Sequence, residues 1–308
     1  MDHPLVSVII LTYNNFNYLE QCFDSVLCQS YPKLEIIISD DCSRNFNKSS
    51  VENYLRNNKR ENIVDYKVMQ NNKNLGIVKN LNHTIKTSKG SYIVPLDCDD
   101  CFYDEHVISL LVQKFLKTGA NIITGYRNVY DKSLNKFLYR LPEKKKIKLF
   151  TPDHMDQLFE ELCRRNIIAS ACTSYSRKLF EQYGYLDESY KVLDDYPEYL
   201  KLVRLGERIH FINTTLIKYR LGGISTGKAI NPAFEEDINL VLKKEILPYP
   251  EKISKRLYRV KLYDYRRRTE KNVNLFLLSI NYFDVVLIKI VERLKFSIKT
   301  YLINKYQI

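Results

Sequence analysis

The chain has 308 residues, 45% of them hydrophobic and 27% charged, with a net charge of +12. That length buries one large core, or one core and a smaller appendage, and the composition excludes disordered and collagen-like classes. No charge-free run is long enough for a membrane span.

Val6–Leu11 (VSVIIL) is a short β-branched run ended by Thr12-Tyr13-Asn14-Asn15, which predicts a buried strand and a turn. Helical spacing of Leu19, Cys22, Phe23, Val26 and Leu27 predicts a helix within 16–29, stopped by Tyr31-Pro32. A second strand is expected over 34–39, capped by Asp40-Asp41-Cys42-Ser43. Helices are expected over 49–57 and 77–87, with a strand at 66–69 between them. Gly90 then precedes a strand that delivers Asp97-Cys98-Asp99-Asp100. Farther on, a strand is expected at 122–124 and a basic stretch, Lys144-Lys145-Lys146, falls within 137–150. Helices are predicted over 153–165, 174–183 and 196–205, with Gly184 and Gly206 as stops. Beyond Tyr219-Arg220-Leu221-Gly222-Gly223 the chain reads mostly as helix, with a boundary near residue 226.

Strands alternating with helices imply a largely parallel sheet with helices on both faces. Ligands of such sheets bind beyond the carboxyl ends of the strands. Those ends carry Tyr13-Asn14, Asp40-Asp41 and Asp97/Asp99/Asp100, so three polar, acid-rich clusters converge on one edge. Carboxylates one residue apart, as at Asp97 and Asp99, suit a hard divalent cation that keeps positions open for phosphates. The alternative is a solvated acidic turn. Seven irregularly spaced cysteines and no leader-like N-terminus fit reduced thiols in a cytoplasm. Cys98 and Cys101 match C-x-x-C but lack the helix start or second ligand pair of a redox or zinc site.

Five blocks together resemble family 2 glycosyltransferases with the GT-A fold: VSVIILTYNN (6–15), EIIISDDCS (35–43), NLGIVKNLNHTIKTSKG (74–90), YIVPLDCDD (92–100) and LFEQYGYLDESYKVLDDYPEYLKL (179–202). Lys218-Tyr219-Arg220 is similar to that family's closing element. The resemblance implies a Rossmann-like, mainly parallel sheet flanked by helices over about 1–226. A nucleotide-sugar half would occupy about 1–125 and an acceptor half 126–226, with a helical basic extension over 227–308. It also implies roles. Thr12, Tyr13 and Asn14 would line the nucleotide pocket, and Asp41, beside Asp40, would accept from the base. Lys79 would approach the diphosphate. Asp97 would meet the ribose and metal region, Asp99 would bind Mn²⁺ or Mg²⁺, and Asp100 would face donor sugar or acceptor. Asp194-Asp195 stands where the family has Glu-Asp, with Asp195 as general base; the alternative is an N-cap pair for the next helix. Leu221-Gly222-Gly223 replaces a stretch that holds a metal-assisting histidine in some relatives, and His210 reads as a strand residue.

The expected activity is inverting transfer of a hexose or N-acetylhexosamine from a UDP-sugar to a glycan or lipid-diphosphate-linked acceptor. Residue usage rich in Asn, Lys, Ile and Tyr suggests bacterial surface-polysaccharide synthesis, such as O-antigen or capsule. A sugar-nucleotide nucleotidyltransferase is the rival enzyme, but residues 11–16 lack its Gly-rich basic loop. Fourteen basic and four acidic residues from Lys252 onward carry +10 of the net +12, so the body is nearly neutral and no nucleic-acid groove is expected across it. The basic tail raises a non-enzymatic binding module as a further rival. It fits better an enzyme peripheral on the inner face of the plasma membrane, with Arg266-Arg267-Arg268 and the apolar segment 273–291 forming an interfacial hairpin; the alternative is that 273–291 packs on the catalytic domain.

Overall fold

The computed structural model describes residues 3–222, 232–270 and 274–306, with side chains to residue 295. Two compact units result, residues 1–237 and 238–308. The boundary expected near 226, Gly223, and Val273 at the start of the apolar segment lie outside the described residues.

Unit 1 opens with β1 (Val6–Thr12), α1 (Leu19–Leu27), β2 (Leu34–Asp40), α2 (Lys48–Asn58), β3 (Ile63–Gln70), α3 (Ile77–Thr87) and β4 (Tyr92–Asp97). β1 and β2 are buried along almost their whole length, as strands covered on both faces must be. α1 buries Leu19, Cys22, Phe23, Val26 and Leu27 on one stripe, and α2 starts where Asn47 Oδ1 accepts from the Ser50 N–H. The second half runs β5 (Cys101–Phe102), α4 (Val107–Thr118), β6 (Ile122–Tyr130), β7 (Phe137–Leu141), α5 (Met155–Arg164), β8 (Ser174–Ser176), α6 (Arg177–Tyr183), α7 (Tyr196–Arg204) and β9 (Ile209–Arg220). α8 (Pro232–Val241) follows the undescribed segment.

The described strands form one sheet in the order β3-β2-β1-β4-β8-β6-β9-β5, with β7 on β6. β3, β2, β1 and β4 are parallel, as are β6 and β9, whereas β8 runs antiparallel to both β4 and β6. β8 corrects the helix expected from residue 174. Ser174-Tyr175-Ser176 fills the gap between β4 and β6, and the helix begins only after Ser176, whose hydroxyl caps the Leu179 N–H. Tertiary pairing thus overrides the helical pattern there.

At the amino ends of the parallel strands, Glu35 is buried on β2 and accepts from the Ser7 hydroxyl and the Lys89 N–H. Ser7 in turn accepts from the Gly90 N–H at 2.8 Å. A Cβ on Gly90 would lie 2.5 Å from both the backbone N and the Oγ of Ser7. Only glycine allows this approach. Gly90→Ala is expected to lower stability by about 1–3 kcal/mol through overpacking, read from the urea unfolding midpoint. An unchanged midpoint would mean that the backbone here yields without cost.

Candidate functional site

The register of the parallel strands sets the site. Thr12 is opposite Asp40, and Leu11 opposite Asp97, so β2, β1 and β4 finish side by side. Beyond Thr12, Asn14 adopts a left-handed backbone (φ 50°) and donates its N–H to Ser43 Oγ at 2.8 Å. This folds the turn after β1 against the turn after β2 and leaves the Tyr13 ring half exposed.

The two aspartates ending β2 differ. Asp40 is fully buried and accepts from the Ser43 N–H, the Ser43 hydroxyl and the Gln70 amide, which shapes its own turn. Asp41 accepts from Asn71 Nδ2 (2.9 Å), the Leu75 N–H (2.8 Å) and the Gly76 N–H (2.9 Å). It thereby anchors the turn that leads into α3. A carboxylate has roughly four acceptor positions, so one remains. Lys79 follows on the exposed side of the first turn of α3.

After β4 the chain turns through Asp97-Cys98-Asp99-Asp100, with the Asp100 N–H on the Asp97 carbonyl at 3.0 Å. Arg220, at the end of β9, holds this turn. Its N–H binds Asp100 Oδ1 (2.8 Å), its Nε the Asp99 carbonyl (2.8 Å), and its other guanidinium nitrogens the Lys132 carbonyl and Gln21. The guanidinium also stacks 3.6 Å from the Tyr18 ring centre. Asp100 Oδ2 is buried with no hydrogen-bond partner. Asp97 is exposed and Asp99 half-buried, so both acids reach solvent beyond the end of β4. Surrounding protein, then Asp99 and Asp195, raise the Asp97 pKa to about 6, opposed by Arg127. Burial pushes Asp100 up as well, with Asp97 adding to it.

Asp194 and Asp195 come from the other half of unit 1, just before α7. Burial raises both, and Asp194 is raised further by Asp195 and Asp97. The pair therefore lies within electrostatic reach of the Asp97 turn. Asp195 makes no side-chain capping bond to α7; its Oδ2 accepts from Asn166 Nδ2 at 3.0 Å. Its loop is held by Asp237 of α8, a buried carboxylate that accepts from the N–H groups of Lys191, Val192 and Leu193 at 2.7–3.0 Å.

Arg127, Asn166 and Asp237 are absent from the sequence reading. Arg127 interrupts β6, stacks 4.3 Å from the Tyr219 ring centre, and leaves a buried Nε unpartnered. A cation inside an otherwise buried strand was the available signal. Cys98 and Cys101 are buried and bind different carbonyls, those of Asn15 and Gln21. Burial, with Asp99 and Asp97 next, pushes the Cys98 thiol up to about 12, which disfavours a reactive thiolate. His210 lies on β9, its pKa lowered to about 4 by burial. Among the described residues, no three His, Cys, Asp or Glu side chains are arranged to hold a metal by themselves.

Known proteins share this architecture. An uncharacterized glycosyltransferase of Rickettsia prowazekii is 30% identical over 237 residues, spanning 76% of this chain and 69% of the relative. TuaG of Bacillus subtilis, named for teichuronic acid biosynthesis, is 26% identical over 73% of this chain and 83% of its own. Among solved structures, S. aureus TarS 1–349 in complex with UDP superposes with a TM-score of 0.57 at 20% identity, over 87% of this chain and 73% of that one. The mannosyltransferase PcManGT from Pyrobaculum calidifontis, in complex with GDP-Man and Mn²⁺, gives 0.56 at 15% identity, over 82% and 66%. These likenesses show a GT-A fold, a mixed α/β sheet with flanking helices. The model of the family described as Glycosyl transferase family 2 matches residues 7–184, more than half of the sequence, and the chain belongs to that family.

Proposed function

We propose that the chain is an inverting glycosyltransferase that moves a hexose or N-acetylhexosamine from a UDP-sugar to a glycan or lipid-diphosphate-linked acceptor in polysaccharide synthesis. One observation carries this reading: the Asp194–Asp195 pair lies within electrostatic reach of Asp97 at the end of β4, and Asp195 makes no side-chain capping bond to α7. The UDP and UDP-GlcNAc complexes of TarS support a uridine donor, and the name of TuaG supports a polysaccharide product.

Inverting transfer needs a base on the side of the sugar opposite the leaving diphosphate. Asp195 takes the acceptor hydroxyl proton. The new C–O bond forms as the bond to the β-phosphate oxygen breaks, through an oxocarbenium-like transition state. Asn166 orients the base. The raised proton affinity of the acid pair makes a carboxylate here a stronger base than an exposed aspartate. On the donor side, Thr12, Tyr13 and Asn14 line the nucleotide, and the remaining acceptor position of Asp41 meets the base. Asp40, enclosed in its own turn, acts by shaping that pocket. Lys79 approaches the diphosphate, and Asp100 Oδ2 accepts from a sugar hydroxyl.

Asp97 and Asp99 fit a hard divalent cation such as Mn²⁺ or Mg²⁺. They are oxygen donors that reach solvent, crowd one another electrostatically, and leave coordination positions for phosphate and water. The Mn²⁺ complex of PcManGT supports the same choice. In this reading Asp99 is the direct ligand and Asp97 meets the ribose and the ion. When bound, the ion neutralises charge on the departing diphosphate.

Three outcomes test the assignment. Asp195→Asn should lower turnover by about 10²–10⁴-fold while calorimetry finds nearly unchanged UDP-sugar binding; full activity would sink the base. Asp99→Ala should abolish the gain in UDP affinity that Mn²⁺ provides, and a variant that kept it would move the metal elsewhere. The third concerns pH. The folded pKa of Asp194 lies above its unfolded value of about 3.9. The native state therefore binds the proton more tightly and loses stability as pH rises from there through the folded pKa. Asp194→Asn removes that penalty, so the ligand-free variant should unfold at a higher temperature than the parent at neutral pH. The difference should close as pH falls towards about 4, and a variant less stable at neutral pH would refute the crowding.

A further inference from the structure

Unit 2 contains α9 (Lys255–Thr269), α10 (Leu275–Asn281) and α11 (Phe283–Tyr306). Tyr263 of α9 packs with Leu278 of α10, Tyr282 and Val285, all buried. Ion pairs bind the same surfaces together: Arg259 to Asp284 at 2.7 Å and Lys289 to Asp264 at 2.8 Å. One side of α11 is thus provided with both apolar and polar partners.

Its other side is apolar and open. Phe283, Leu287, Ile290, Val291 and Leu294 recur at i, i+4, i+7, i+8 and i+11, which places them on one stripe. They are 46–64% exposed, and Phe276 and Ile280 of α10 add rings and branches at 73% and 56%. Scattered exposed apolar residues need no explanation, but a continuous stripe marks a surface that meets something apolar.

Charge says what kind of surface. At 100° per residue, Arg293 and Lys295 fall on opposite borders of the stripe, both exposed. Asp284, on one border, is neutralised by Arg259. Glu292 falls on the side away from the stripe. Lys255, Arg256, Arg267 and Arg268 are further exposed cations of the unit. An apolar stripe with basic borders matches a bilayer carrying anionic headgroups: acyl chains take the stripe and phosphates take the cations. The helices lie along such a surface rather than through it, because no described helix is long and apolar enough to cross a membrane.

We propose that the outer stripe of α10–α11 docks in the interface of an anionic lipid bilayer, with Arg293 and Lys295 on the headgroups. The proposal is independent of the donor, the metal and the base assigned above.

The test uses the full chain and vesicles of phosphatidylcholine, either pure or mixed with phosphatidylglycerol. The protein should sediment with the mixed vesicles at low salt, be released by high salt, and ignore the pure ones. The partition coefficient should fall roughly fivefold in each of the charge-neutralising variants Arg293→Gln and Lys295→Gln. The chain has no tryptophan, so Phe283→Trp supplies a single reporter whose emission should shift to the blue with the mixed vesicles only. Leu287→Ser with Ile290→Ser should abolish binding, with circular dichroism confirming the fold. Equal sedimentation with both lipids, or none with either, overturns the proposal, as does a Trp emission that ignores the mixed vesicles. A dimer in sedimentation equilibrium that Leu287→Ser dissociates, without lipid binding, assigns the stripe to a second copy instead. The wild-type sedimentation and the Trp emission decide the matter even if the serine variant fails to fold.

Discussion

The organising constraint in this molecule is the burial of carboxylates close to one another. Asp97, Asp99, Asp100, Asp194 and Asp195 are drawn within electrostatic reach of one another by strands and loops that begin far apart in the chain. Left to themselves these groups would separate or take up protons; burial first, and neighbouring carboxylates after it, raise the proton affinities of Asp97, Asp100 and Asp194. The fold tolerates the crowding because it grips the backbone on each side of the acids rather than neutralising them individually. Arg127 is a cation within electrostatic reach of Asp97, Asp100 and Asp195.

The grips are of two kinds. On the Asp97 side a cation holds carbonyls: Arg220 reaches from β9 to Asp99, Lys132 and Gln21 at once, with Tyr18 stacked on its plane. On the Asp195 side an anion holds amides, because Asp237 gathers three successive N–H groups. Between them lies Gly76. Its N–H is bound to Asp41, and a Cβ placed on it would come 3.2 Å from the Lys191 carbonyl. The turn organised by Asp41 and the loop gathered by Asp237 are therefore in direct apposition. Such polar networks specify a single arrangement when all members are satisfied.

Much of the first half was legible in the sequence because each piece is local. The runs before Thr12, Asp40 and Asp97 are short, β-branched and ended by turn residues, and parallel strands expose their carboxyl ends to ligand by topology alone. What escaped is non-local. Ser174-Tyr175-Ser176 has a helical neighbourhood, and only the vacancy between β4 and β6 makes it a strand. Asp40 and Asp41 are adjacent and chemically alike, yet Asp40 binds Ser43 in its own turn and Gln70 of β3, while Asp41 holds the turn that leads into α3. No pattern in the linear order separates them. Asp237 lies beyond the blocks that carry the family resemblance, so nothing near it in sequence hints that it serves residues 191–193.

That last contact redraws where the working part of the chain finishes. A fragment trimmed at the close of the family blocks, soon after Arg220, would keep every acid of the cleft and still lose the carboxylate on which three amides rely. Lys191, Val192 and Leu193 would then turn to water, and the peptide carrying Asp194 and Asp195 would be free to relax away from its like-charged neighbours. Stability of the sheet and alignment of the cleft would part company. Asp237 is in this sense the far end of unit 1, although the chain reaches it only after leaving the last strand.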